Sequence, residues 1–424
     1  MSIGFWNIFL LISQIYFSYG KSYFPNLRRK MKQRRGGVIM KRILAAAVGI
    51  ALLSLLPLSA GAATLAEAGK SAVLMDVTTG TVLYEHNSHE ALAPASVTKV
   101  MTMLLIMEAV DSGKIALTDT VTASEAAAAK GGSQIYLKAG ETMSVSDMLK
   151  SIAVSSANDC ACAMAEHICG SESAFVEAMN RRAKELGMQD THFVNCTGLD
   201  DDDSAKLHRT SAYDIALMSR ELLKNHPDIK KYTTIWMDTV RNGAFGLSNT
   251  NKLIRFYPGA TGLKTGYTAG AGYCLSASAQ KEGMELIAVV MGAKTSQARN
   301  AACKELLDYG FANFAVVAPE PEELPQVAVR LGKQTQVPVR MAETAGMLIE
   351  KSQRSGITTE ISLEESVAAP VVRGQTLGSL SIKSGEQTLR QIPLVAAEDV
   401  ERLSTGDIFL AVLRRAAMAK EGQE

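Results

Sequence analysis

Between Ser96 and Val110 the chain reads SVTKVMTMLLIMEAV, apolar nearly all the way round a helical wheel. A helix with one polar side lies on a surface, whereas one that is apolar on every side has to be surrounded. The segment is therefore expected as a helix buried in a core. Its first turn carries two residues foreign to a core, Ser96 and Lys99. At i and i+3 their side chains share one face. Pro94 just before them fits a helix start, where unpaired N–H groups can stabilise an oxyanion. A serine hydroxyl is a weak nucleophile until a base takes its proton, and a lysine becomes such a base when burial or another cation lowers its pKa. The spacing alone proves little. Ser18 and Lys21 repeat it, and about one or two chance matches are expected in a chain of this length.

The 424 residues suffice for two or three domains. Lys and Arg number 44 against 43 Asp and Glu, so a nucleic-acid partner has no electrostatic support. Residues 40–62 have the form of a secretory signal peptide: Lys41 and Arg42, an apolar run from Ile43 to Leu56, then Ala60-Gly61-Ala62 as a small-x-small cleavage site. The mature chain is expected to begin near Ala63. Residues 1–39 precede this leader and suggest that Met40 is the true start. Residues 63–317 form the expected first domain. Within it SAVLMDVTTGTVLYEHN reads as a hairpin, residues 120–190 as mostly helical, SAYDIALMSRELLKN as a helix, YCLSASAQ and MELIAVVMGA as a second hairpin, and residues 296–314 as a closing helix. The acidic run at 200–204 reads as a solvated loop, with a calcium site as the alternative. Pro and Glu cluster at 318–326 as in a linker, and a β-rich domain is expected over 318–400. In the segment 401–424, Ile408, Phe409, Val412, Leu413 and Ala416 fall on one helical face.

Two further elements follow Ser96-x-x-Lys99 in order: Ser156-Ala157-Asn158 and Lys264-Thr265-Gly266. Each is weak alone; the ordered set is specific. On these motifs, with MGAKTSQAR and the β-rich region beyond, the chain resembles a serine-type D-alanyl-D-alanine carboxypeptidase, a low-molecular-mass penicillin-binding protein of the DacA/DacF type. The resemblance implies an α/β (α+β) transpeptidase-like domain with an antiparallel sheet flanked by helices, then a small all-β sandwich and an amphipathic membrane-anchor helix. It implies an exported enzyme that removes the terminal D-alanine from peptidoglycan stem pentapeptides, is acylated by β-lactams, and needs no metal or organic cofactor. Ser96 would attack and Lys99 take its proton; backbone N–H groups of Ser96 and Tyr267 would bind the oxyanion. Ser156 would pass a proton to the leaving D-alanine, and Asn158 would hold Lys99 and the substrate backbone. Lys264 would help keep Lys99 neutral and attract the terminal carboxylate, to which Thr265 would donate, while Gly266 leaves room for the substrate backbone. Arg299 matches a family arginine linked to carboxylate recognition, its alternative being an exposed helix charge. Tyr267 stands where some relatives carry histidine.

Cys160, Cys162, His167 and Cys169 crowd one helix, but Cys160 and His167 share one face and Cys162 and Cys169 another, so no single metal collects all four. They read as small buried residues, and a disulfide between Cys160 and Cys162 is geometrically poor. Two other functions remain open on sequence: a β-lactamase, against which stands the lack of a convincing E-x-x-L-N segment, and an inactive wall-binding protein of the same fold, against which stands the complete motif set. The C-terminal helix is too short to span a bilayer; Arg414, Arg415 and Lys420 suit anionic headgroups, the alternative being a helix docked on the β-rich domain.

Overall fold

A computed structural model describes residues 65–201, 203–318, 323–343, 346–410 and 412–413. The extension 1–39, the signal peptide, part of the linker and the residues from 414 onward lie outside the described residues. Five strands, β1 (Ser71–Asp76), β2 (Val82–His86), β3 (Ala260–Thr268), β4 (Gly272–Lys281) and β5 (Met284–Ala293), form one sheet in the order β2-β1-β5-β4-β3. Every neighbouring pair is antiparallel. Both expected hairpins are present. The Asp76 carboxylate accepts from the backbone N–H and the hydroxyl of Thr79, each at 2.7 Å, and closes the first turn. Glu282 and Gly283, both with positive φ, close the turn between β4 and β5.

The helices are α1 (Lys99–Asp111), α2 (Val145–Ser155), α3 (Asn158–Cys169), α4 (Glu172–Glu185), α5 (Ala212–Asn225) and α6 (Ser296–Asn313). Period-two alternation sends β1 and β5 into two cores. Val73, Met75, Ile287, Val289 and Met291 pack with α1, α2, α3 and α5. Ala72, Leu74, Leu286, Ala288 and Val290 pack with Leu306 and Leu307 of α6 on the other side. Strands covered on both faces read as continuous apolar runs, which is why these two do. As its composition requires, α1 lies inside the first core, with Val100, Met101, Met103, Leu104 and Ile106 all buried.

Residues 120–190 are less helical than the sequence suggests. Thr120–Thr122 and Thr142–Ser144 pair antiparallel around a long loop, and only one turn, Glu125–Ala128, is helical between them. The glycines at 131, 132 and 140 end the helical pattern there. A further hairpin, Met237–Val240 with Phe245–Ser248, was not legible because its strands are short and largely exposed.

Beyond the first sheet, a three-stranded and a four-stranded sheet cover apolar clusters centred on Val327, Val337 and Leu377 and on Leu380, Ile392 and Leu394. The strand Phe314–Val317, which the sequence places at the end of the first domain, pairs with Met347–Glu350 of the second. Residues 405–410 are helical, and Ser404 and Asp407 exchange side-chain-to-backbone hydrogen bonds at its start.

The approach of α6 to the sheet depends on Gly310, where a Cβ would come 2.4 Å from Leu286 Cδ1 and 3.0 Å from Leu74 Cδ2. Alanine favours a helix interior by about 1 kcal/mol, but overpacking costs about 1–3 kcal/mol. Gly310→Ala is expected to lower the urea midpoint with an unchanged m-value; a raised midpoint would show that the helix has room to spare.

Candidate active site

Ser96 sits in a 3-10 turn, Ala95–Thr98, that runs directly into α1. Three neighbours set this turn. Ala95 has φ +48°, a left-handed conformation that L-residues rarely adopt. Gly198 packs so closely that its Cβ would lie 1.9 Å from the Ala95 carbonyl oxygen. At Gly266 on β3 a Cβ would lie 2.7 Å from Pro94 O and 3.1 Å from Ser96 N. Two glycines thus let a loop and a strand clasp the turn from separate parts of the chain. From below, Thr98 Oγ1 donates to Ala95 O at 2.8 Å and meets His208 Nε2 at 2.8 Å. His208 Nδ1 accepts from Val194 N, so the ring proton lies on Nε2 and points at Thr98. Burial pushes the His208 pKa down to about 4, keeping it neutral.

The Lys99 side chain is fully buried, and its Nζ donates to Ser96 Oγ at 3.0 Å and to Thr197 O at 2.8 Å. Burial lowers its pKa from 10.5 to about 7, against weaker opposing effects of Cys196 and Asp159. Burial is thus the largest cause of the shift, ahead of any neighbouring cation. Lys264, also buried, has its pKa pushed well below the usual lysine value, first by burial and then by Lys99 and Arg299. Its Nζ donates to Thr265 O at 2.9 Å.

Ser156 closes α2 in a left-handed conformation, φ +65°, and Asn158 opens α3. Ser156 Oγ and Asn158 Oδ1 are buried and have no hydrogen-bond partner among the described residues. Buried polar atoms are ordinarily paired, so the two mark hydrogen-bonding capacity held open in one place. Asn158 Nδ2 donates to Gly131 O at 2.7 Å. The Asn158–Lys99 hydrogen bond expected from the resemblance is not formed in this structure; the Thr197 carbonyl holds the lysine instead. Thr265 Oγ1 donates to Thr250 Oγ1 at 2.7 Å.

Tyr267 is 56% exposed, its ring stacked on Tyr273 at 4.3 Å between centroids. Arg299 is buried, not an exposed helix charge. Its guanidinium lies 5.9 Å from the Tyr273 ring and donates to Asn300 Oδ1 and Cys274 O. Lys264 and Arg299 are both buried, Arg299 is one cause of the lowered Lys264 pKa, and neither takes part in any of the described ion pairs.

The sequence missed the Thr197 carbonyl, His208, Thr250 and Asp159. Asp159 is buried and accepts from Ile135 N and Leu137 N, at 3.1 and 3.0 Å from Oδ2, and from Cys160 N at 2.9 Å. Its place beside Asn158 was the one available signal; a carboxylate in the first turn of a helix otherwise reads as a cap. The six cysteines are free, and His167 is exposed while Cys160 and Cys162 are buried. Burial raises the thiol pKa of Cys160 and Cys196.

An amine-bearing base against a serine in the same buried turn, with a strand packed closely against that turn at Gly266, defines a serine hydrolase of the acyl-transfer type. The profile of the family described as "D-alanyl-D-alanine carboxypeptidase" matches residues 59–295, and that of "Penicillin-binding protein 5, C-terminal domain" matches 318–402. The chain belongs to the D-alanyl-D-alanine carboxypeptidase family. It is 45% identical over 390 residues to D-alanyl-D-alanine carboxypeptidase DacF of Bacillus subtilis, covering 89% of this chain and 98% of that one. It is 33% identical to DacA of Escherichia coli over 78% of this chain and 83% of that one. Penicillin-binding protein 5 of Haemophilus influenzae superposes with a TM-score of 0.67 at 31% identity, covering 79% of this chain and 98% of that one. Penicillin-binding protein D2 of Listeria monocytogenes, solved in its ampicillin-bound form, superposes with a TM-score of 0.53 at 32% identity, over 57% of this chain and 98% of that one. The protein is a serine carboxypeptidase with a peptidoglycan substrate and a penicillin-binding fold.

If the close contact at Gly266 holds β3 against the nucleophile turn, Gly266→Ala should slow acylation by penicillin about 100-fold or more. Its melting temperature should fall as well, by roughly a few degrees, so acylation is measured well below the transition. Wild-type acylation kinetics in this variant would show that the approach is not needed.

Proposed function

We propose that the enzyme removes the terminal D-alanine of stem pentapeptides through an acyl-enzyme on Ser96. The observation that carries this reading is the buried Lys99 amine 3.0 Å from Ser96 Oγ. With a pKa of about 7, roughly half of Lys99 is neutral at pH 7, against about three parts in ten thousand for an ordinary lysine. The neutral amine takes the proton of Ser96 as Oγ attacks the carbonyl between the last two D-alanines. The backbone N–H groups of Ser96 and Tyr267 stabilise the oxyanion. Ser156 relays a proton to the leaving amine, and Asn158 Oδ1 accepts from the substrate backbone. The terminal carboxylate is held by Thr265 and by the cationic pair Lys264 and Arg299, whose own charges its arrival favours. Water then hydrolyses the ester. β-Lactams enter the same path because their strained amide imitates the peptide, and the first stage ends at a stable adduct on Ser96.

Intact-mass spectrometry after penicillin treatment should find one adduct, on the peptide containing Ser96, and none in Ser96→Ala. Lys99→Ala should slow acylation about 100-fold or more. Because the working form of Lys99 is the deprotonated one, acylation should rise with pH through about 7 and level off above it. An adduct surviving in Ser96→Ala would overturn the assignment.

The signal-peptide reading supports export, which places the site on the outer side of the cytoplasmic membrane, where peptidoglycan lies. No helix of the described residues is long and apolar enough to cross a membrane. The C-terminal helix instead leaves Phe409 65% exposed, with Ile408, Val412 and Leu413 also exposed, and this favours an interfacial anchor over a docked helix. A mature form ending at Val400 should no longer sediment with anionic liposomes yet keep its peptidase activity, and Phe409→Asp should bind more weakly. Equal binding by the full mature protein, the truncation and Phe409→Asp would rule out the helix as the anchor.

A further inference from the structure

Tyr136 is the most conspicuous residue the chemistry above does not use. It has φ +59°, and a bulky aromatic residue in that region is a conformational outlier. Such strain persists only where the surroundings enforce it, and here they do on three sides. The N–H groups of its two neighbours, Ile135 and Leu137, both donate to the buried Asp159 carboxylate. Arg241 donates to Ile135 O at 2.8 Å and to Tyr136 O at 3.3 Å. Arg241 is in turn held by Glu141 at 2.7 Å. All this fixed structure leaves the Tyr136 ring 67% exposed. The ring stands edge-on to Phe245 at 6.3 Å, and the Arg241 guanidinium lies over Phe245 at 5.3 Å. Tyr136, Lys138, Glu141, Arg241 and Phe245 line one open cavity of about 600 Å³.

The platform is joined to the active site by the same loop. Asn158 Nδ2 donates to Gly131 O, and Asn158 N donates to Ser133 O at 2.7 Å. Tyr136 is three residues further on, at most about 10 Å of chain away. In a stem pentapeptide four residues separate the scissile bond from the sugar, at most about 14 Å when extended. The two lengths are comparable, so a sugar tethered to a peptide in the site falls within reach of the platform. An exposed aromatic ring offers a face to the apolar C–H side of a saccharide, and the rimming Lys138, Glu141 and Arg241 offer donors and acceptors to its hydroxyl and amide groups.

We propose that Tyr136, with Phe245 and Arg241, forms a saccharide-binding subsite that engages the glycan strand of the polymer whose peptide is being trimmed. This rests on the carboxypeptidase reading for its substrate but not for its test. Asp159 is a positioning residue in this account: it orients Asn158's helix and the Tyr136 loop together.

The experiment uses the full chain, with Tyr136→Asn and Phe245→Ala. Asn tolerates the left-handed region, so the first variant removes the ring without adding strain. Peptide-free, N-acetylated glycan strands serve as the binding probe. Intact peptidoglycan and diacetyl-Lys-D-Ala-D-Ala serve as large and small substrates. Both variants are expected to bind the glycan strands about tenfold more weakly and to raise KM on the polymer by a similar factor. Hydrolysis of the small peptide and acylation by penicillin should stay at the wild-type level. Wild-type protein that does not bind peptide-free glycan, or variants that bind it equally well, would overturn the proposal. So would variants that lose activity on the small peptide and the polymer alike, since the loop would then act only through Asn158. Failure of penicillin to acylate the wild-type protein would count instead against the reading of Ser96, and the glycan-binding arm would still decide this inference.

Discussion

The structure turns on one buried amine. Lys99 has no access to solvent, yet it begins a helix whose other residues form the centre of the first core. An ammonium group in such a place is strongly disfavoured, and the lowered pKa is the direct consequence. The fold therefore produces its base by the same burial that stabilises it. A serine one turn away on the same face receives that base at hydrogen-bond distance. The two functions of the helix, filling the core and carrying the nucleophile, cannot be separated by mutation without cost to one of them.

Two distant segments close on this turn: strand β3 brings Gly266 against it, and the loop before α5 brings Thr197 and Gly198. Glycine is used at 198 and 266 because any Cβ would collide with the backbone of residues 94–96. Lys264 and Arg299 are both buried and take part in none of the described ion pairs.

Much of this was legible in the sequence. The all-round apolar pattern after Ser96 placed α1, the two apolar runs around Lys281-Glu282-Gly283 placed β4 and β5, and of the three short motifs the first and third hold residues that meet, Ser96 with Lys99 and with Gly266. What stayed hidden has a common physical character. Thr197 acts through a backbone carbonyl, which every residue possesses. His208 is a buried neutral imidazole whose partner Thr98 lies 110 positions away in the chain. Arg299 stays open in sequence between a family carboxylate-binding arginine and an exposed helix charge until the packing of α6 buries it. The conformation of the loop at 131–141 is not legible because the Asp159 carboxylate that organises it comes later in the chain. Local pattern reports periodicity and turns; it does not report which distant group supplies a hydrogen bond.

The central claim is that Lys99 is neutral over a substantial fraction of the population at physiological pH because it is buried against Ser96. A direct measurement is the NMR titration of the Lys99 side chain in protein carrying isotope-labelled lysine, with Lys99→Arg used to assign the resonance. The account predicts a midpoint near 7, well below that of the exposed lysines. A midpoint near 10 would show that Lys99 stays protonated during turnover and that another group takes the proton from Ser96.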